Sequence, residues 1–564
     1  MRAAKIISVV WEWLLLAGVC GVFLLLAARR PGSPGIAYDE VMEPNFGMAM
    51  AENLYPRINA VTEHCAEVPT TDWFVTLAGR EWPLWVPQPY DWSGFVMYLT
   101  AAVFHCAGCS IAALRGTEAA MGVAMIVLFF IFCRFWLPPL WALAAALFLA
   151  VNPAFVIWGR LCFWAVEMLA AFFALTAAAC FARWWRSKSR AALYWGCFFL
   201  GFGINGSVKI LAFWVAYPVL YLLFIPKERR LRGMELFFCG LAFAAGAANF
   251  IIFNVVRGFP TFRVLLIHLW VPTAWGVDNL HIAGNMTVRW RQFANVLNGQ
   301  APALSTGGNA PVSRLFPDLF IISFLWLIGK CLWSKRWSLR KPAAVIMALC
   351  GILFLCICFT PAALSAEHPL ILWPFAMLVV VLSIFSLFEI RGFGGIGRWL
   401  AVGCFVAAAA WSWRFDRAYF STLESTKGEG FWSGAPTDAA YYLGEKHIDT
   451  VVCLAWGMAE QIYFVSKGKI IPDDGFSFGG GVSPRLLAAY RGWLRDPARR
   501  YLMPAGPASR FNGRAALEEE LYKEHKTLIL EKTFTDGMGV PVLLLYRVGS
   551  QRPPRKGPPK ILRI

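Results

Sequence analysis

Apolar runs of membrane-spanning length recur along the first three quarters of this chain. Nothing constrains a fold more tightly, because lipid offers no hydrogen-bond partner and a crossing segment must satisfy its own backbone, as a helix does. The first run, Ile6 to Ala28, follows Arg2 and Lys5. Others lie at about 93–114, 117–133, 140–157, 162–182, 191–208, 210–225, 233–254, 316–333, 342–360, 369–388 and 398–413. The chain therefore reads as a polytopic α-helical membrane protein. Composition agrees: 58% of residues are hydrophobic and 15% charged, against about 25% charged in soluble domains. The net charge of +18 sits in short clusters between the runs, where basic residues set orientation, so it does not point to nucleic acid. The cysteines fall mostly inside apolar runs and read as buried small hydrophobes.

The clusters at 183–190, 226–232 and 334–341 recur after every second run and are expected in the cytoplasm. The segment 29–92 carries four Arg against nine acids and is expected outside. The first run is too long for a signal-peptide core and lacks a small-residue cleavage site, so it reads as a retained anchor. Twelve crossings would place every basic cluster outside, so one run must not span. The choice falls on 93–114, with its Ser, His, Cys and Gly residues, as an interfacial or re-entrant helix, leaving about 11 transmembrane helices. Residues 1–414 form the membrane domain. From 415 to 564 helix-like and strand-like patterns alternate at ordinary charge density, as in a small soluble α/β domain, here extracytoplasmic. The external loop 255–315 divides into an expected interfacial helix and a Gly/Pro-rich flap.

Just beyond the first run stands "IAYDEVMEPNFGMAMAENL" (37–55), with Asp39 and Glu40 at the membrane surface. Further pieces follow in "PQPYDWSGFVMYLTAAVFHCAGCSIAALRG", "ALAAALFLAVNPAFVIWGRLCFWAVE" and "GFGINGSVKILAF". In this order and spacing they resemble the membrane-embedded (GT-C) glycosyltransferases that use polyprenyl-phosphate sugars, the class of protein O-mannosyltransferases and the lipid A aminoarabinose transferase. The resemblance covers roughly 1–415. It implies a GT-C-like fold, transfer with inversion in the cytoplasmic membrane with an extracytoplasmic active site, and Asp39 as the base. Two stretches depart from the family: Pro87-Gln88-Pro89 stands where the aminoarabinose transferase has Glu-Lys-Pro, and Pro369-Leu370 where many relatives have an Arg-Tyr or a Tyr.

The chemistry follows from the substrate. A lipid-linked sugar presents an anionic phosphate at the membrane surface and an apolar tail, and its transfer needs cations at that depth and a base for the acceptor. Asp39 is the expected base, with Glu40 orienting it or the acceptor. Arg115, Arg160 and Lys209 are the expected phosphate ligands, since charges at membrane depth are costly and serve a function or a pair; snorkelling anchors are the plain alternative. Glu167 is a candidate ion-pair partner for Arg160, and His368, beside Glu367, a substitute cation. No nucleotide or zincin motif occurs, so no cofactor is implied; Asp39, Glu40 and Glu43 leave a divalent metal open. The implied partners are the lipid-phosphate donor, the bilayer, and an acceptor that is a protein, lipid or glycan. The rival reading is a transporter or flippase-like carrier of lipid-linked precursors, although the sequence shows no internal repeat.

Overall fold

The computed structural model describes residues 2–52, 75–77, 79–82, 94–164, 167–259, 261–262, 281–299, 312–334, 337–359, 368–389, 395–476, 483–506 and 513–550. The fold is mostly helical. Helix α1 spans Arg2–Ala27, and a loop rich in Pro and Gly leads to the single turn α2 (Tyr38–Val41) and to α3 (Pro44–Ala51). A two-stranded ribbon, β1 (Val75–Leu77) and β2 (Arg80–Trp82), precedes α4 (Gly94–Ala107) and α5 (Ile111–Cys133). Next come α6 (Pro139–Ala150), α7 (Pro153–Trp158), α8 (Met168–Ser187), α9 (Arg190–Phe202), α10 (Leu211–Phe224), α11 (Gly233–Gly246) and α12 (Ala248–Val256).

Among the described residues seven helices are long and apolar enough to cross a membrane, or eight if α11 and α12, bent by 73°, count as one. The expected count of 11 is not reached by length, and backbone chemistry explains the gap. Asn152-Pro153 splits the run 140–157 into α6 and α7, because Pro153 suits a first helical turn and not an interior. Gly203 and Gly206 unwind the end of α9 into a short 3₁₀ turn. The run 93–114 is likewise two pieces. Helix α4 has 14 residues, about 21 Å at 1.5 Å each, short of the roughly 30 Å of hydrocarbon, and ends at Gly108, whose φ of 77° breaks the helix. Ser110 then caps α5 by accepting from the Ala113 N–H at 3.1 Å.

The span Pro369–Phe388 is 94% buried, against 28% for Leu315–Trp333. The first is the central staff of the bundle, and the second turns its apolar face outward. Trp373, at the head of the staff, stacks on Phe155 of α7 with centroids 5.7 Å apart and planes 2° from parallel.

The boundary expected at 415 falls inside one continuous helix, Ile396–Thr426. Beyond it lies an α/β domain around a sheet of order β4-β3-β5-β7-β6. The strands are β3 (Thr450–Cys453), β4 (Ile471–Asp474), β5 (Arg500–Pro504), β6 (Lys526–Thr535) and β7 (Pro541–Ser550). Strands β4, β3 and β5 run parallel and β7 and β6 antiparallel. Helices Ala435–Glu445 and Ala459–Val465 cover one face, and Pro484–Trp493 and Arg514–Lys523 the other. The central parallel strand β3, Thr-Val-Val-Cys, is near-continuously apolar because both faces are covered, whereas the edge strand β4 reads Ile-Pro-Asp-Asp.

Candidate active site

The site is built on the stretch between α1 and α3. Its loop, Arg29 to Gly35, contains two prolines and two glycines and is wrapped around two guanidinium groups. Arg115, in the second turn of α5, donates Nη1–H to the carbonyls of Pro31 (2.6 Å) and Pro34 (3.0 Å), and Nη2–H to that of Gly35 (3.2 Å). Its remaining donors form a two-pronged pair with Glu40: Nε to Oε1 at 2.6 Å and Nη2 to Oε2 at 2.9 Å. An Arg has five N–H donors, and all five of Arg115 have partners within the chain. Arg160 follows α7 and donates to the carbonyls of Arg29 (2.9 Å), Arg30 (2.9 Å) and Ser33 (2.6 Å). Its guanidinium also lies over the ring of Phe420, 5.3 Å from the centroid. Burial pulls Arg160 down to about 10, so it remains a cation at neutral pH.

The expected phosphate ligands Arg115 and Arg160 thus hold six carbonyls of the loop leading to α2. Glu40, fully buried, also accepts from the Ala37 N–H at 3.3 Å, closing the start of α2. Trp164 Nε1 donates to the Glu40 carbonyl at 3.3 Å. Glu118, one turn along α5 from Arg115 and fully buried, accepts from the Phe163 N–H at 3.2 Å. Glu118 was visible in the sequence as an acid inside an apolar run, three residues after Arg115, and sequence reasoning passed it over.

Lys209 pairs with Glu167, both buried. Glu167 is therefore the partner of Lys209, not of Arg160, whose bonds all run to the loop. Asn205 and Asn249 exchange amide hydrogen bonds, 3.3 Å from Asn205 Nδ2 to Asn249 Oδ1, beside the break between α11 and α12. His368 begins the short turn His368–Leu372 at the head of the staff. Glu367, Pro87, Gln88, Pro89 and most of the expected interfacial helix and flap lie outside the described residues.

Asp39 occupies a different setting. It is half-buried, on a turn that packs against the α/β domain. Tyr38 packs on Trp456 with centroids 4.9 Å apart. Three residues beyond the end of β3 and at the end of β4, this corner presents Trp456 and Asp474, with Glu460 in the first turn of the following helix. Burial first, then the charge of Asp474 and of Asp39, raises the Glu460 carboxyl well above its ordinary range. Burial pushes Asp474 up to about 7. Among the described residues no three acid, His or Cys side chains are arranged to hold a metal, and both Glu40 oxygens already serve Arg115. The Cys-x-x-Cys spacing of Cys106 and Cys109, also passed over, holds free thiols, with burial pushing Cys109 up to about 11 and away from the reactive thiolate.

Sequence reasoning also missed Arg289. In the helix Ile282–Leu297 the buried residues are Arg289, Phe293, Val296 and Leu297, the i, i+4, i+7, i+8 stripe of an amphipathic helix. A lone Arg on that stripe was the available signal. Its Nε donates to the Ile357 carbonyl and its Nη1 to Gln292 Oε1, each at 2.9 Å. Burial pulls it down to about 10, so it stays charged. The adjacent Trp290 and Phe293 line a cavity of about 250 Å³ whose other walls include Phe320, Phe324, Phe354 and Leu372.

The helical membrane frame with its carboxyl-terminal α/β domain is similar in fold to a solved structure. The particular likeness is to ArnT from Cupriavidus metallidurans, solved bound to undecaprenyl phosphate: TM-score 0.55 at 12% identity, covering 95% of this chain and 98% of that one. The apo oligosaccharyltransferase of Archaeoglobus fulgidus gives 0.49 at 11% identity, over 82% of this chain and 64% of its own. The S. cerevisiae O-mannosyltransferase Pmt1-Pmt2 complex bound to the sugar donor gives 0.27 at 17%, over 45% and 33%. Of these three, ArnT alone has a TM-score above 0.5. No protein-family model and no curated protein matches the sequence.

Proposed function

We propose that this protein transfers a sugar, with inversion, from a polyprenyl-phosphate donor to an acceptor at the extracytoplasmic face of the cytoplasmic membrane, with Asp39 as general base. The observation that carries the reading is the division of labour on α2. Glu40 is buried and bound at both oxygens, whereas Asp39 is half-buried, as a group that must take a proton from an incoming acceptor has to be. The base draws the proton from the acceptor hydroxyl or amine as that atom attacks the anomeric carbon. The sugar–oxygen bond to phosphate then breaks, and the polyprenyl phosphate leaves with the electron pair.

The apolar cavity between Ile282–Leu297, Leu315–Trp333, Arg340–Ile357 and the staff suits part of a prenyl tail. Arg289, beside that cavity, is the proposed phosphate ligand. Arg115, Arg160 and Lys209 hold the site in shape; Arg289 is also engaged within the chain, at Ile357 and Gln292, and is preferred to them because it adjoins the cavity-lining Trp290. ArnT holds undecaprenyl phosphate in its structure, which supports a donor of the same chemistry here.

The rival carrier reading draws on the bent α11–α12 pair, since interrupted helices mark many transporters. Purified protein given a radiolabelled polyprenyl-phosphate sugar and candidate acceptors separates the two. Transfer with release of polyprenyl phosphate is expected, and Arg289→Ala raises the donor KM by about tenfold or more, the scale of a lost charged hydrogen bond. Movement of intact donor across vesicles without transfer would establish the carrier instead.

A further inference from the structure

The α/β domain does not stand apart from the carboxylate turn. Helix Ala459–Val465 packs on both α2 and α3. Within it Gln461 is fully buried, and its Nε2 donates to two carbonyls, that of Ile36 and that of Phe431 (3.0 Å). Ile36 directly precedes Ala37, the residue from which α2 starts. Asn45 of α3, also fully buried, donates Nδ2–H to the Glu460 carbonyl at 3.0 Å. The Gly35 N–H reaches the Trp432 carbonyl at 2.5 Å. A Cβ on Gly35 would lie 1.8 Å from the Ser433 carbonyl oxygen, so only glycine permits this approach. With the Tyr38–Trp456 contact, residues 35, 36, 38 and 45 all fasten to groups beyond the membrane helices. The membrane domain holds the same turn from its other side, through Glu40.

We infer that the α/β domain is a working part of the catalytic site, with Gln461 as the positioning residue that fixes the start of α2 and so aims Asp39. The inference rests on Asp39 being the base. Gln461 suits this task because one buried amide nitrogen, with two hydrogens, ties the loop before α2 to the segment after the last membrane helix. Without it two buried carbonyls lose a donor and α2 gains freedom to turn. A misplacement of about 1 Å in a reacting group costs up to roughly 100-fold in rate.

The test uses the full-length protein in detergent or nanodiscs. Gln461→Met keeps the length and removes the donors. It should lower kcat for transfer about 10- to 100-fold, leave the donor KM within about twofold, and speed amide exchange at residues 36–42. Gln461→Asn, which keeps the amide on a shorter stem, should be intermediate in both readouts. Arg500→Ala breaks the Arg500–Glu531 pair (2.7 Å) on the sheet and should change neither. Unchanged exchange at 36–42 in Gln461→Met overturns the inference, as does an equal loss of kcat in Arg500→Ala. Exchange needs no substrate, so a wild-type protein that transfers nothing defeats the proposed reaction while the exchange result still decides the positioning.

Discussion

Asp39 and Glu40 are neighbours in sequence, yet α2 gives them different settings. Successive helical residues point about 100° apart. One step carries Glu40 into the Arg115 fork, with Arg160 behind it on the same loop. The other carboxylate is half-buried, and its charge helps to raise both Glu460 of the α/β domain and Cys162 of the membrane domain. The lesson concerns assignment. An acidic pair in a motif is not two equivalent candidates: Glu40, with both oxygens bound by Arg115, is the poorer candidate for proton transfer.

The most direct way to break this division is to remove the cation. Arg115→Met leaves Glu40 buried without its partner, and breaking a buried pair from one side costs about 3–5 kcal/mol. The expected outcome is loss of folded, monodisperse protein. A second change, Glu40→Gln, should recover part of it, because the uncompensated charge disappears. If Arg115→Met melts like the wild type, the cationic side of the comparison fails.

A smaller effect sharpens the acidic side. Asp474 titrates at about 7 in the folded protein and near 3.9 unfolded. Between these values the native state holds a proton that the unfolded chain has lost, so unfolding free energy falls as pH rises, by up to about 1.4 kcal/mol per unit. Below pH 4 the penalty is absent, and above 7 it is complete. Glu460, also raised, adds to the same slope. Thermal unfolding followed from pH 4 to 8 should therefore show stability declining with pH, and Asp474→Asn should flatten the decline and melt higher than wild type at pH 8. A wild-type stability that rises across this range would contradict the burial of these acids.

Much of the frame was legible in the sequence because composition is a bulk property. The apolar runs mark a membrane protein, and the change in charge density near 415 marks the α/β domain. Asp39 and Glu40 stood out because a carboxylate pair just after an apolar anchor is unusual, but that Glu40 pairs with Arg115 could not be read from the motif. The destinations of the cations were not readable. Arg115 and Arg160 bind backbone carbonyls about 80 and 130 positions away in sequence, and a carbonyl carries no residue identity for a motif to reveal. Gln461 was invisible for the same reason: an uncharged amide in a short helix acquires meaning only when tertiary packing sets it against Ile36. Among the described residues the count by length falls short of 11 where Pro153 and the glycines after α9 break runs that hydropathy alone joins.

The central claim is that α2 carries one base and one structural acid, and paired isosteric variants test it most directly. Asp39→Asn and Glu40→Gln are each assayed for sugar transfer from the lipid-linked donor and for melting temperature. The account predicts that Asp39→Asn loses about 10²- to 10⁴-fold in rate at unchanged melting temperature, whereas Glu40→Gln melts lower and retains far more transfer. Wild-type transfer by Asp39→Asn, or indistinguishable losses in both variants on both readouts, would contradict it.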